Sequence, residues 1–252
     1  MDPYAADADL AHRLAEQTGA LLLALRAMVA ETDQPDSQDA GHAGDAAAQK
    51  YLARSLADER PDDAVLSEEA PDSSDRLSAG RVWIIDPLDG TREFSEGRDD
   101  WAVHVALWAS GELVAGAVAL PGRGTTLSTR APGVPRAANR PPRIAVSRSR
   151  APRTAEAAAE ALGAELVPMG SAGYKSAAVV LGDVDAYVHA GGQYEWDSAA
   201  PVVVARAAGL HTSRLDGSPL KYNQPNPYLP DLLVCRPELA TPLLSVCRPA
   251  MR

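Results

Sequence analysis

Apolar and polar positions alternate differently in the two halves of the chain. From Asp7 to Ala30, the residues Leu10, Leu14, Leu21, Leu25, Met28 and Val29 recur near helical spacing, which predicts one long amphipathic helix ending before Asp33-Gln34-Pro35. A second helix is expected with Asp45 as its cap, Tyr51, Leu52 and Leu56 as its apolar stripe, and Arg60-Pro61 as its end. Two short apolar runs follow, Asp63 to Glu69 and Val82 to Ile85, and each leads straight into carboxylates. They read as buried strands. Ala102 to Trp108 and Leu113 to Leu120 flank Ser110-Gly111, a hairpin signal. The first half is therefore expected to place helices on an antiparallel-rich sheet.

Pro121 to Pro142 is rich in Gly, Pro and Arg, with one weak strand candidate, Thr125 to Thr129. It marks the expected boundary between a first half, 1–121, and a second, 122–252. Beyond it, strand and helix signals alternate: Ile144 to Val146, Thr154 to Leu162, Ala164 to Val167, Lys175 to Leu181, Ala186 to Val188, Asp197 to Ala208 and Leu232 to Cys235. That order predicts a layered α/β unit, so the whole chain reads as layered α+β or α/β. There is no internal repeat, and helix propensity alone explains the Ala-rich stretch Ala155 to Ala161.

Composition narrows the partners. With 252 residues and 46% hydrophobic content, the chain has ample material for a core. A formal net charge of −10 disfavours a nucleic-acid polymer as partner but leaves room for a small anionic substrate in a local basic pocket. Charge is uneven: Pro121 to Arg150 holds seven arginines and no acid. Two cysteines, Cys235 and Cys247, do not make a disulfide framework and fit a reducing cytoplasm. Leu21 to Ala30 is interrupted by Arg26 and too short to span a bilayer, so neither a membrane anchor nor a signal peptide is expected.

The chemistry concentrates where the strands end. Val82 to Ile85 delivers Asp86 to a sheet edge, where Pro87 is expected to stop the ladder and Gly90 to let the chain turn back. Asp86, Asp89 and the Leu88 carbonyl then supply three oxygen donors within four residues, a set suited to a hard cation such as Mg²⁺. An ordinary Asp-Gly turn is the plain alternative. Glu68, after the preceding strand, and Asp197, ahead of a small-residue helix, can converge on the same point from separate segments. Unpaired carboxylates so gathered require cations. Glu68 and Asp86 with the Leu88 carbonyl are candidates to hold one Mg²⁺, and Asp86, Asp89 and Asp197 another. Gly90 and Thr91 open a short expected helix whose amides offer a phosphate cradle, and Thr91 can orient an attacking water.

Asp86-Pro87-Leu88-Asp89-Gly90-Thr91 together with Trp196-Asp197-Ser198-Ala199-Ala200 resembles both signatures of the inositol monophosphatase superfamily. The resemblance extends through Glu68-Glu69, Ala207-Ala208-Gly209 and Asp216-Gly217 and covers most of the chain in order. It implies an αβαβα layered sandwich, metal ligands at Glu68, Asp86, Leu88, Asp89 and Asp197, two or three Mg²⁺ per site, and inhibition by Li⁺. It further implies that Thr91 positions water and that Asp45 pairs with Thr91 as part of the base; Glu69 reads either as a residue that orients Glu68 or as a solvent-exposed loop acid. In Gly41-His42-Ala43-Gly44-Asp45 the chain carries His42 where the family usually has a threonine.

Val65 to Glu69, Thr91 to Phe94, Ile144 to Ser149 and Glu195 to Asp197 look most like the CysQ-type 3'(2'),5'-bisphosphate nucleotidases, enzymes of sulfate assimilation. That likeness implies a substrate with two phosphates, 3'-phosphoadenosine 5'-phosphate. The phosphate being cleaved sits against the metals, so the other needs its own cations. Ser171, Lys175 and Arg148 are candidates, and His189 stands where such nucleotidases carry an arginine. Inositol-1-monophosphatase or fructose-1,6-bisphosphatase activity is the alternative within the same chemistry. A non-catalytic nucleotide or Mg²⁺ sensor is the alternative of another class. A homodimer is compatible with the resemblance.

Overall fold

A computed structural model describes residues 2–30, 37–133, 140–149 and 151–250. Helices α1 (Ala5–Ala30) and α2 (Ser37–Glu59) pack on one face of a five-stranded sheet. Its order is β1 (Ala64–Ser67), β2 (Arg81–Asp89), β3 (Ala102–Ala109), β4 (Glu112–Leu120) and β5 (Thr125–Ser128). β1 and β2 pair in parallel, and the remaining neighbours pair antiparallel. The β3–β4 connection turns at Ser110 and Gly111, both at positive φ, as a tight hairpin requires.

The second sheet contains β6 (Arg143–Ser147), β7 (Glu165–Met169), β8 (Ala186–Tyr194), β9 (His211–Ser213) and β10 (Tyr228–Cys235), in the order β7-β6-β8-β10-β9. Helices α5 (Ala172–Leu181) and α6 (Glu195–Ala207) lie between the sheets, and α6 touches β2, β3 and β4 on one side and β8 and β10 on the other. α4 (Arg153–Leu162) and α7 (Pro237–Ala250) cover the outer face of the second sheet. The layers run αβαβα, with the short helix α3 (Thr91–Ser95) following β2.

β2 anchors both inner layers. Trp83 and Ile85 pack with α1 and α2, whereas Val82 and Ile84 pack with α5 and α6, so side-chain alternation along one strand feeds two cores. Its entry is held by ions. Arg81 bonds both Asp63 and Asp7, and Asp63 also accepts from the Trp83 indole N–H at 2.8 Å. The parallel register sets Leu66 beside Ile84 and Ser67 beside Ile85, which brings the residues after β1 level with those after Ile85.

The structure corrects two sequence expectations. Asp45 is not a cap: α2 begins at Ser37, and Asp45 lies buried within it, bonded across to Thr91. Asp is favoured at caps and at buried functional positions for the same reason, its short acceptor, so sequence alone does not separate them. Pro87 does not end the ladder. The register slips between Asp86 and Asp89, and pairing resumes at Asp89 opposite Ala102. Pro87 occupies the bulge, where no ladder N–H is demanded. β9 and α7 lie outside the pattern read from the sequence.

Candidate active site

The bulge of β2 builds the centre of the site. Asp86 is fully buried. Its Oδ1 accepts the Leu88 N–H at 3.1 Å, and its Oδ2 has no hydrogen-bond partner. Asp89 faces the N-terminus of α5. Its Oδ2 accepts the Ser171 hydroxyl at 2.5 Å and the Gly173 N–H at 2.6 Å, while Oδ1 accepts the Ala172 N–H at 3.2 Å. Gly90 takes φ 93°, the left-handed turn that starts α3 and that a side chain would strain. The Thr91 hydroxyl then lies 3.3 Å from Asp45 Oδ1 and 3.2 Å from the Leu88 carbonyl, able to donate to either. Asp197, in the first turn of α6, accepts the Tyr194 N–H at 2.6 Å.

The acids repel one another. Burial raises Asp86 well above the usual carboxylate range, and Glu68, Asp89 and Asp197 raise it further. Glu68 is exposed as a residue, yet desolvation of its carboxyl and the charges of Asp197 and Asp89 push it up to about 7. Asp197 is likewise pushed up to about 7, by burial first and then by Asp89. Asp45 rises to about 6 through burial and the charge of Glu69, against the opposing Thr91 hydrogen bond. Among the described residues no lysine or arginine forms an ion pair with Glu68, Asp86, Asp89 or Asp197, and the charge of Lys175 offsets Asp197 only in part.

His104 on β3 is the residue that sequence reasoning missed. It is fully buried, and its Nδ1 lies 3.0 Å from the Trp196 carbonyl, so Nδ1 carries the proton. Nε2 sits 3.3 Å from Asp89 Oδ2 without a hydrogen-bond partner, and burial holds the ring's pKa below the ordinary histidine value. Two acceptors therefore face each other. Ligating atoms of Asp86, Asp89 and His104 all lie within 4.8 Å of one another. The orphaned Asp86 Oδ2 and His104 Nε2, set among acids that repel, fit a cation. A lone histidine in an apolar strand offers no sequence signal for this, but its even spacing with Ala102 and Ala106 puts it on the face turned to α5 and α6.

A cavity of about 620 Å³ opens over these groups, lined by Glu68, Asp89, Gly90, Ser171, Lys175, His189, Trp196 and Asp197 among others. The expected phosphate-binding cations are largely engaged within the protein. Lys175 is buried, and its Nζ donates to the Gly170 and Ser171 carbonyls at 2.9 and 2.6 Å, with burial lowering its pKa. Arg148 binds Glu93 and Glu96 at the cavity's edge. His189 Nε2 bonds the Gly192 carbonyl at 2.9 Å, and burial lowers its pKa. Glu69 is exposed, its N–H donating to Ser67 Oγ, and its charge bears on Asp45. Of the arginine-rich segment, Arg123, Arg130, Arg140 and Arg143 pair with Asp183, Asp9, Asp185 and Glu165, so they tie the structure together, and Arg136 and Arg150 lie outside the described residues.

An αβαβα sandwich that gathers acids from three segments around a threonine–aspartate pair has the build of a metal-dependent phosphatase. Residues 5–245 match the inositol monophosphatase family, and the chain belongs to that family. It is 54% identical over 260 residues to the 3'-phosphoadenosine 5'-phosphate phosphatase of Mycobacterium leprae, covering 96% of this chain and 93% of that protein. It is 32% identical over 199 residues to the 3'(2'),5'-bisphosphate nucleotidase CysQ of Escherichia coli, covering 74% and 81%. Among solved structures, Staphylococcal IMPase-II shares the fold with a TM-score of 0.79 at 20% identity, covering 98% of this chain and 96% of that one. The family generally uses Mg²⁺. Among the described residues, no helix is long and apolar enough to cross a membrane.

Proposed function

We propose that the protein hydrolyses 3'-phosphoadenosine 5'-phosphate to AMP and inorganic phosphate in a Mg²⁺-dependent reaction, within sulfate assimilation and nucleotide turnover. The observation that carries the reading is the set of mutually repelling carboxylates at Glu68, Asp86, Asp89 and Asp197, with Thr91 and Asp45 alongside. The named relatives above support the choice of substrate. Glu68, Asp86, the Leu88 carbonyl, Asp89 and Asp197 would hold two or three Mg²⁺. When bound, Mg²⁺ neutralises the phosphoryl oxygens, makes water more acidic and offsets charge on the leaving oxygen.

The protein's own groups do the rest. Thr91 orients the attacking water, and Asp45, its pKa lifted to about 6, accepts the proton while remaining largely ionised at neutral pH. The Gly90 and Thr91 amides cradle the scissile phosphate as the water oxygen joins phosphorus and the bond to the ribose 3' oxygen breaks. Lys175 keeps the loop at Gly170 and Ser171 in place through its two carbonyl bonds, and Ser171 and the α5 amides fix Asp89. His189 lines the substrate cavity, and Arg148 holds Glu93 in its wall. Inhibition by Li⁺, a cytoplasmic location and a homodimeric state belong to the same proposal.

Phosphate release from 3'-phosphoadenosine 5'-phosphate, inositol-1-phosphate and fructose-1,6-bisphosphate at equal concentration, with and without Mg²⁺, tests it. The bisphosphate nucleotide should be the preferred substrate, and Asp89→Asn should abolish turnover. Faster release from inositol phosphate, or full activity in chelator, would refute the reading.

A further inference from the structure

We propose that Arg76, Asn223 and Glu195 form a buried relay that sets the span between two of the acids, Glu68 and Asp197, and so governs how tightly the site holds a cation. The assignment rests on the function proposed above and makes Arg76 and Asn223 positioning residues. All three side chains are buried, Arg76 and Glu195 at 1% exposure each. Charged groups are seldom enclosed to that degree unless they are paired and fully bonded.

Asp86 and Asp89 share the bulge of one strand, but Glu68 follows β1 and Asp197 stands in the first turn of α6, and the two repel each other. Arg76 lies in a single 3₁₀ turn, Ser74–Leu77, within the loop that follows Glu68 and Glu69. Its Nε and one terminal nitrogen donate to the two Asp72 carboxylate oxygens at 2.6 and 2.8 Å. The guanidinium also reaches far along the chain, donating to Asn223 Oδ1 at 2.7 Å and to the Gln224 carbonyl at 2.9 Å. Asn223 returns a bond from its side-chain amide to the Arg76 carbonyl at 3.2 Å. Asn223 sits at φ 57°, a conformation that asparagine tolerates, and its backbone N–H and that of Gln224 both donate to the Glu195 carboxylate, at 2.6 and 2.8 Å. Glu195 stands two residues ahead of Asp197 in the same turn of α6.

Among the described residues, every hydrogen bond that ties positions 70–77 to a distant part of the chain runs through Arg76. Released from Arg76, that loop would yield to the repulsion between Glu68 and Asp197, and the two acids would stand further apart before a cation binds. Holding them together in advance removes an ordering cost from binding. Groups that orient a metal ligand from behind typically change metal affinity about 10–100-fold. None of the three relay residues lines the active-site cavity, so their effect falls on the cation rather than on contact with substrate.

Calorimetric titration of Mg²⁺ into the metal-free protein, with no substrate present, reads the relay directly. Asn223→Gly suits φ 57° and keeps the backbone N–H to Glu195, so it removes only the side-chain bonds to Arg76. It should raise the Mg²⁺ Kd about tenfold. Arg76→Met should raise it at least as much, and Arg76→Lys, which can still donate to Asp72 and Asn223, should recover part of the loss. In turnover assays the Mg²⁺ concentration for half-maximal rate should rise by the same factor, while KM for 3'-phosphoadenosine 5'-phosphate at saturating Mg²⁺ stays within about twofold of wild type. Where Arg76→Met fails to fold, Asn223→Gly decides the matter. A Kd in Asn223→Gly within about twofold of wild type, even with a lowered Tm, would overturn the relay and leave the proposed function intact. A wild-type protein that takes up no Mg²⁺ would overturn both, a result distinct from the first.

Discussion

A single methyl group added at Gly173 should unsettle the whole junction beneath the acids. A Cβ there would lie 1.8 Å from His104 Nε2 and 2.6 Å from its Cε1, inside a ring that is fully buried and tied by Nδ1 to the Trp196 carbonyl. Either the ring moves and breaks that bond, or the α5 N-terminus retreats and lengthens the 2.6 Å contact from the Gly173 N–H to Asp89. Overpacking costs about 1–3 kcal/mol and a broken buried hydrogen bond about 1–3 more, against roughly 1 kcal/mol gained from alanine's helix propensity. The expected net loss is about 1–5 kcal/mol. For a chain of this length that lowers Tm by roughly 2–20 °C. Thermal unfolding of Gly173→Ala, His104→Ala and the double variant completes a cycle. Removing the imidazole gives the methyl its space, so the double variant should be more stable than the sum of the singles by at least about 1 kcal/mol. Additivity within about 0.5 kcal/mol would refute the clash as the cause.

Two further outcomes follow from the raised carboxyl groups. Turnover with Mg²⁺ should fall as pH drops through about 6, because Asp45 must be ionised to take a proton, and Asp45→Asn should remove that limb of the profile along with most of the rate. In the metal-free protein, Glu68 and Asp197 titrate near 7 when folded but near 4.5 and 3.8 when unfolded. The folded state then binds more protons across that window, so stability declines as pH rises from about 4 to about 7. Mg²⁺ should raise Tm more at pH 8 than at pH 5, and an equal rise at both would count against the acids as its site.

The clustered acids were legible because each sits directly after a short apolar run or ahead of a small-residue helix, so local order already pointed to a shared location. The helices and strands themselves were legible for a similar reason, since the period of the apolar residues changes from one element to the next, whereas the αβαβα layer order came from the family resemblance. Spatial partners were not. Arg148 and Lys175 carry the right charge for phosphate, yet long-range contacts with Glu93, Glu96 and two carbonyls decide what they are free to do. His104 escaped because its neighbours are apolar and its role depends on Trp196 and Gly173, far along the chain.

The alternation along β2 bears on how this protein can change over time. Deleting or inserting one residue between Val82 and Ile85 would send Trp83 and Ile84 to each other's layer and turn Asp86 to the wrong side of the sheet. Length variants of that strand would thus be lost as unfolded chains before their catalysis was ever tested.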